Sequence, residues 1–325
     1  MLAFILRRIL QSVAVMAVVA LIAFSLFNFV GDPVVSMVGQ DATMEEKARL
    51  RSELGLDQPV VLQFFHFVGN AVQGDFGRSL RQGRSVAVLI KERLPATLEL
   101  SFGAALLALV VGIPAGVYAA LQRGSWGAQL LLTASLIGVS LPSFLIGILL
   151  ILVFAVQLGW LPSTGRGQTA MLFGVPWSFL TLDGLRHMVM PALNLSLFNI
   201  SLVLRLTRSG VRETVLMDYV KFARAKGLTP RRVIMVHVLK NIMIPVVTVV
   251  GLQFGSTIAF SVVTESVFAW PGMGKLLIDS IGVLDRPVIV AYLLVIVTIF
   301  IVINLVVDVL YSALDPRVRL SESKG

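Results

Sequence analysis

The chain has 325 residues, of which 57% are hydrophobic and 14% are charged, and its mean hydropathy is +0.89. A soluble domain carries about 25% charged residues, so this composition excludes an ordinary water-soluble protein and predicts that lipid covers much of the surface. Because the chain has no cysteine, disulfides, thiolate catalysis and cysteine-ligated metals are excluded. The net charge of +9 raises the question of nucleic acid binding, which depends on where the basic residues lie.

The first predicted element is a membrane span that follows Arg7 and Arg8. A signal peptide has an apolar core of about 7–15 residues and then a small-residue cleavage site. The charge-free run here is longer and ends at Gly31-Asp-Pro33. We therefore expect a retained transmembrane helix.

Six segments of the chain are long and apolar enough to span a bilayer, which takes about 20 residues of helix. The third charge-free stretch, 124–165, is long enough for two spans, but Trp160 and Pro162 are typical of an interfacial exit. We predict one span there, near 129–157, since a second span would break the alternation of charge between loops. The six candidates are 9–30, 101–122, the part of 124–165 just named, 188–204, 241–264 and 287–307.

The distribution of Lys and Arg predicts that both termini are cytoplasmic, because short cytoplasmic loops carry the excess of basic residues. This topology accounts for the excess of basic residues, so nucleic acid binding is not needed to explain the net charge. The predicted organisation is an N-terminal tail with the first span (1–30), an external helical cap (31–98), a transmembrane core (99–311) containing a basic loop (205–240), and a cytoplasmic tail (312–325).

Three short helices are predicted in the external cap. Thr43 and Glu46 form a capping-box pattern for the first, which would stop at Gly55. Pro59 precedes a second helix over 60–72. A third helix would begin after Ser85, cover 86–94 and stop at Pro95.

No catalytic constellation is visible in the sequence. The three histidines, His66, His187 and His237, fall on opposite sides of the predicted membrane and cannot share a metal. Neither a metalloprotease motif nor a nucleophile elbow is present, and Gly274-Lys275 does not belong to a phosphate-binding loop. We expect that the chain is not an enzyme and holds no cofactor.

Four ionisable residues lie near the ends of the spans. They are Glu99, Arg205, Glu265 and Asp308. A charge at the centre of a bilayer is costly, so these side chains are expected to be paired or to reach the interface. Glu99 and Asp308 are candidates for interior partners of basic residues.

The basic loop contains a short amphipathic helix that we expect to bind another protein. Leu216, Tyr219, Val220, Ala223 and Gly227 fall at helical spacing and form one apolar stripe. Such a stripe more often lies on anionic lipid. The small residues on this stripe favour close docking against a protein surface instead.

The helix is predicted to stop at Gly227, and Thr229-Pro230 to begin the next one. Pro245 is expected to kink the span that follows.

Several short motifs are distributed along the whole chain. In chain order they are Gly31-Asp-Pro33, Leu54-Gly-Leu-Asp57, Gly74-Asp-Phe-Gly-Arg-Ser79, Arg93-Leu-Pro-Ala-Thr-Leu-Glu-Leu100, Gly251-Leu-Gln-Phe-Gly255, Glu265-Ser-Val-Phe-Ala-Trp-Pro-Gly-Met-Gly274 and Leu310-Tyr-Ser-Ala-Leu-Asp-Pro-Arg317. Two further segments, from Asp218 to Leu228 and from His237 to Pro245, lie in and just after the basic loop. Taken together, these motifs resemble the permeases of ABC importers of the dipeptide/oligopeptide class, and most closely the first of the two permeases in such a system; the last two segments are similar to the coupling loop of that class.

The resemblance implies an all-α transmembrane bundle of the type I importer fold in the bacterial inner membrane. It implies three kinds of partner: a second homologous permease, two ATPases that bind ATP and magnesium, and a periplasmic or lipid-anchored substrate-binding protein. Segment 216–228, called the coupling segment below, would dock on an ATPase through Leu216, Tyr219, Val220, Phe222, Ala223, Arg224, Lys226 and Gly227. Thr229, Pro230 and Pro245 would belong to the lever that moves the adjoining spans.

Alternatives remain open at this point. Within the resemblance, the substrate is a dipeptide, a longer peptide, glutathione or a metal chelate such as nickel. An ion-coupled secondary carrier would need a deep ionisable residue or paired broken helices. An intramembrane hydrolase would need a nucleophile and a base that the sequence does not display.

Overall fold

The computed structural model describes residues 2–29, 34, 43–53 and 57–314. Among these residues the fold is helical apart from one short hairpin. The helices are α1 (Leu2–Phe29), α2 (Met44–Glu53), α3 (Val60–Val72), α4 (Val86–Leu121), α5 (Trp126–Ser140), α6 (Ser143–Leu150), α7 (Leu182–Thr214), α8 (Asp218–Ala225), α9 (Pro230–Arg232), α10 (Leu239–Val267), α11 (Met273–Gly282) and α12 (Arg286–Leu314). Two π-helical segments, Ile151–Gln157 and Val233–Val238, follow α6 and α9.

Five of the six predicted spans are present as helices long and apolar enough to cross a membrane. They are Leu6–Leu26, Val86–Leu121, Leu182–Thr214, Pro230–Val267 and Arg286–Val309. Most are longer than predicted from the charge-free runs. Helix α4 alone rises about 54 Å at 1.5 Å per residue, which exceeds the hydrocarbon thickness of about 30 Å.

The third predicted span is not a single helix. Helix α6 continues into the π-helical segment Ile151–Gln157, and together they meet helix α5 at an angle of 113°. The break falls at Leu141 and Pro142, which both have extended backbone. Proline disfavours helical geometry in the residue before it, and here Leu141 adopts the extended backbone, so the helix ends at Ser140. The one span predicted near 129–157 corresponds to this bent pair, which brings the count of candidate spans to six when the pair is taken as a single broken span.

The chain divides into two compact units, of which the first comprises residues up to Pro95 together with Gly272–Ile301. Its apolar core joins α1, α3 and the first half of α12. The rings of Phe24 and Phe64 meet edge to face with centroids 5.4 Å apart. Asp285, which is buried, accepts hydrogen bonds from the Ser79 hydroxyl (2.5 Å) and from the backbone N–H groups of Leu80 and Arg81, and so fixes the loop before α4.

The second unit comprises Ala96–Pro271 and the residues from Val302 onward. Helix α4 packs tightly on α7 because Gly112 and Gly116, four residues apart, present no side chain at the contact. A Cβ added to Gly116 would lie 2.7 Å from the carbonyl oxygen of Leu204. Small residues at this spacing are typical of close helix packing in membranes. Helix α10 packs along α7, and the side chains of these two helices line the interior of the unit.

The predicted caps of the short helices are partly confirmed. Thr43 and Glu46 make the reciprocal bonds of a capping box: the Glu46 carboxylate accepts from Thr43 N (2.9 Å), and Thr43 Oγ1 accepts from Glu46 N (3.3 Å). These bonds hold the pKa of Glu46 below its ordinary value. The predicted stop at Gly55, the exit motif 31–33 and the tail beyond 314 lie outside the described residues.

The prediction that Pro95 ends the helix starting at Val86 is wrong, because α4 continues through Pro95 to Leu121. A proline removes one helical hydrogen bond, but long membrane helices tolerate it when tertiary packing holds both flanking turns. The turn after Pro95 is held in this way. The Trp270 indole, fully buried, donates to the carbonyl oxygen of Ala96 at 2.9 Å.

A two-stranded hairpin is the one departure from an all-α fold among the described residues. Strands β1 (Ala170–Leu172) and β2 (Val175–Trp177) pair antiparallel. The two turn residues, Phe173 and Gly174, have φ of 53° and 75°. Positive φ at both positions is the geometry of a tight two-residue hairpin. The Phe173 side chain at the tip is 95% exposed.

Candidate functional site

The coupling segment folds as predicted into a short helix with a defined end. Helix α8 covers Asp218–Ala225. Gly227 has φ of +78°, and its N–H bonds to the Arg224 carbonyl while Leu228 N bonds to the Ala223 carbonyl. These are the bonds of a glycine-terminated helix. The chain then turns into α9, with Thr229 before Pro230 at the first helical position but without a side-chain cap bond.

The apolar stripe of α8 is divided between two faces. Val220 and Ala223 are buried against Val211, Val233 and Ile242 of the same chain. Ala223 therefore packs α8 against α7 and α10 of the same chain. The sequence had assigned its small side chain to docking on another protein instead.

The opposite face of α8 presents large apolar side chains to the outside. Leu216 and Phe222 are 70% and 62% exposed, and Met217 and Tyr219 are also exposed. The Tyr219 hydroxyl accepts a hydrogen bond of 2.6 Å from Asn241 Nδ2 and so connects α8 to the start of α10. The face is rigidly held while its apolar side chains remain uncovered.

Basic side chains surround this apolar face. The Lys226 ammonium lies 4.7 Å from the centroid of the Phe222 ring. Arg123, Arg212 and Arg224 line an adjoining groove of about 530 Å³, and Glu213 is the acidic residue among the groove's lining. The surface combines an apolar patch with positive charge, which suits a partner that offers apolar and acidic groups.

The backbone between α8 and the long span contains a π-helical turn. Val233–Val238 forms six residues of wider helix before α10 begins at Leu239. Val233 and Val238 are buried in the same apolar cluster as Val220. Pro245 lies one to two turns further along, inside α10, which runs without interruption from Leu239 to Val267. The π-helical turn is a local irregularity just before this part of the span, and the kink expected at Pro245 stays a prediction.

Glu99 is an interior partner of a basic residue, as predicted, and the partner is Arg166. The Arg166 guanidinium donates to Glu99 Oε1 at 2.8 Å, and the two side chains are 9% and 0% exposed. Arg166 also donates to the Ser178 hydroxyl and the Pro176 carbonyl, while Ser178 N donates to Glu99 Oε2. This network fixes the hairpin loop to α4 at Glu99, about four turns into the helix.

The other three ionisable residues lie in different surroundings. Glu265 is fully buried, and its Oε1 accepts hydrogen bonds from Thr97 Oγ1 (2.6 Å) and Ser261 Oγ (3.0 Å). Arg205 is exposed and donates to the Ser201 carbonyl. Asp308 is half-buried on α12. The structure does not bring the four together.

Sequence reasoning missed the polar pairs between α7 and α10. Asn194 Nδ2 donates to Thr264 Oγ1 at 2.9 Å, and Asn199 Nδ2 donates to Thr257 Oγ1 at 3.0 Å. The signal was present, because asparagine inside an apolar span is costly without a partner. A search for neutral polar residues in facing spans would have found both pairs, whereas the search for charges did not.

Comparison with known proteins places the chain in a family. Residues 112–320 match the profile described as "Binding-protein-dependent transport system inner membrane component", and residues 1–101 match the corresponding N-terminal profile. The chain is 42% identical over 335 residues to the di/tripeptide transport system permease protein DppB of Pseudomonas aeruginosa (strain UCBPP-PA14), covering 98% of this chain and 99% of the relative. It is 40% identical over 320 residues to the glutathione transport system permease protein GsiC of Escherichia coli (strain K12), with the same coverage.

Solved structures support the fold. One inward-facing structure of the MetNI methionine ABC transporter superposes with a TM-score of 0.56 at 16% identity, covering 70% of this chain and 97% of that one. A second inward-facing crystal form gives 0.53 at 17% identity with the same coverage. The matched profiles together span nearly the whole chain. The chain belongs to the binding-protein-dependent transport system inner membrane components, the multi-pass permease subunits of ABC importers.

Proposed function

We propose that this permease forms half of a translocation pathway for di- and oligopeptides. The observation that carries the proposal is the similarity, over nearly the full length, to a relative named as a di/tripeptide permease. A second relative is named for glutathione, which is itself a tripeptide, so the two names share a short-peptide chemistry. Glutathione import is the alternative.

The importer would be a heteromer with both termini of this chain in the cytoplasm. A second homologous permease would complete the pathway, and a substrate-binding protein would deliver the ligand. Two ATPase subunits would bind ATP and magnesium and hydrolyse the nucleotide, since no phosphate-binding loop occurs in this sequence. An ion-coupled carrier is disfavoured, because nearly the whole chain matches the profiles of binding-protein-dependent permeases.

The coupling segment would be the contact with an ATPase. Its outer face supplies apolar side chains for a buried interface centre, and the arginine groove supplies charge at the rim. Because α8 is packed on both α7 and α10, a push on the segment would move both spans. This arrangement supports the proposed lever through Thr229, Pro230 and Pro245.

Copurification tests the coupling contact. Phe222→Ala removes an exposed anchor of the outer face, and we expect ATPase association to fall while membrane insertion is unchanged. Phe173→Ala is the matched control, because Phe173 is also exposed but lies on the hairpin. Gly227→Trp is expected to block docking and to abolish transport. Normal ATPase association and uptake in both Phe222→Ala and Gly227→Trp would remove the assignment.

Uptake assays test the substrate class. The chain and its partners, reconstituted in proteoliposomes, should import a labelled dipeptide only when ATP is enclosed on the ATPase side. The effect of unlabelled glutathione on dipeptide uptake tests glutathione import, the alternative function. Peptide uptake by this chain alone, without ATP, would contradict the proposal.

Orientation is tested separately by labelling. The chain has no cysteine, so Lys226→Cys provides a single site. An impermeant maleimide should react in permeabilised but not in intact cells. Reaction in intact cells would place α8 outside and contradict the topology.

A further inference from the structure

A cavity of about 440 Å³ lies among α5, α6, α7 and α10 in the second unit. Its size is within the range of about 300–1,000 Å³ found for small-molecule sites. Leu141 and Ser143, on either side of the break between α5 and α6, belong to its wall. The break therefore creates space where an unbroken span would have packed closed.

The wall of the cavity is polar but carries no formal charge. Its polar side chains are amides and hydroxyls, and no Asp, Glu, Lys, Arg or His of the described residues lines it. Phe198 and Phe260 line it as well and are exposed. The wall therefore offers hydrogen-bonding partners for neutral polar groups of a ligand and no counter-charge for an ionised group.

One wall residue has an unused acceptor. Asn194 is only 4% exposed, and its Nδ2 is committed to Thr264 Oγ1. Its Oδ1 is buried and has no hydrogen-bond partner within the described parts of the chain. Buried carbonyl oxygens are nearly always paired, so an orphaned one in a cavity wall indicates a donor that comes from outside the chain.

We infer that this cavity is a station in the translocation pathway at which Asn194 Oδ1 accepts a hydrogen bond from a backbone amide N–H of the peptide in transit. This inference rests on the proposed function and adds the group that is recognised. A backbone amide is neutral and is a donor, so it matches an uncharged wall that has an unused acceptor. Every peptide carries this group whatever its side chains, so the site recognises peptides as a class.

The test compares a dipeptide, Ala-Ala, with its analogue methylated on the amide nitrogen, which lacks the donor. Both are supplied on saturated binding protein to the complete importer in proteoliposomes. The measured quantity is the ratio of the two initial uptake rates. Comparing this ratio between variants cancels any effect of the methyl group that does not depend on Asn194.

The principal variant is Asn194→Leu combined with Thr264→Val, which replaces both bonded partners with apolar groups of similar shape and leaves no orphaned hydroxyl. Asn194→Ala is measured alongside it, so that the result does not depend on the assembly of one variant. Ser196→Ala is the control, because Ser196 lies on the same helix, is buried and donates its hydroxyl to the Leu193 carbonyl within that helix.

The preference for Ala-Ala should fall roughly three- to tenfold in the two Asn194 variants, the equivalent of one hydrogen bond, and should not change in Ser196→Ala. An unchanged preference in the Asn194 variants would overturn this inference and leave the proposed function standing. If the wild-type importer hydrolysed ATP but moved neither peptide, the proposed function would fail, and the inference would fail with it.

Discussion

The buried pair of Arg166 and Glu99 gives the sharpest stability prediction. Arg166→Met keeps the length of the side chain and removes the guanidinium. Three hydrogen bonds are lost: to Glu99 (2.8 Å), to the Ser178 hydroxyl (3.0 Å) and to the Pro176 carbonyl (2.8 Å). Glu99 keeps only the bond from Ser178 N at 2.9 Å and remains a buried carboxylate.

The expected loss follows from the burial of both groups. Their side chains are 9% and 0% exposed, so water does not replace the missing partner without opening the loop. Removing one member of a buried ion pair typically costs about 3–5 kcal/mol, because the other charge stays uncompensated. The free energy of unfolding should fall by about this amount, a factor of roughly 10² to 5 × 10³ in the unfolding equilibrium constant.

Denaturant unfolding of the purified chain in mixed micelles measures this loss. Arg84→Met is the matched control, since Arg84 forms an ion pair with Glu92 in which both side chains are about half exposed. It should change stability little, because exposed pairs are screened by water. Arg166→Met combined with Glu99→Gln should recover much of the loss. Equal effects of Arg166→Met and Arg84→Met would refute the reasoning.

Three further predictions concern single contacts. Gly227→Ala should lower the free energy of unfolding by about 1–2 kcal/mol, because the φ of +78° strains a residue with a Cβ, even though that Cβ would meet no atom within 4 Å. Gly227→Asn should be destabilised less than Gly227→Ala. A lower unfolding midpoint for the Asn variant than for the Ala variant would contradict this prediction. Thr43→Ala removes the hydroxyl that donates to Glu46 but keeps the backbone N–H, which lowers the pKa of Glu46 most, so this pKa should rise only part of the way towards its ordinary value in an NMR titration. The stabilisation that this carboxylate provides is present above the ordinary glutamate pKa and is lost as pH falls through the lower folded-state pKa. The variant should lose the part of this pH dependence that comes from the Thr43 hydroxyl, and an unchanged titration would contradict the prediction. Asp285→Ala removes the acceptor of Arg81 N, so trypsin should cut after Arg81 faster than in the wild type, and equal rates would count against the role given to that carboxylate.

The sequence predicted what depends on local chemistry. Charge-free runs located five spans, the capping box at Thr43 was confirmed, and Gly227 was correctly assigned as a helix end. Each of these follows from a short stretch of chain whose physical requirement does not depend on distant residues. The break before Pro142 also depends on local sequence, but it was missed because the spans were located from the charges between them.

The features that were missed depend on contacts between distant segments. Pro95 continues a helix because packing from elsewhere in the chain, such as the bond from Trp270, holds the next turn. The division of the α8 stripe into a buried and an exposed face could not be read from spacing, because spacing shows that residues share a side but not what covers it. The partner of Glu99 lies 67 residues away in a loop with no obvious motif.

The π-helical turn at Val233–Val238 affects where the protein tolerates the deletion of a single residue. A π turn holds one more residue than an α turn over the same stretch. Deleting one of its residues would convert it to regular helix and leave every side chain of α10 facing the same direction. A deletion within α10 would rotate all later side chains by about 100°, since an α-helix turns once in 3.6 residues. Single-codon deletions should therefore survive selection in this short stretch and be eliminated in the span that it precedes.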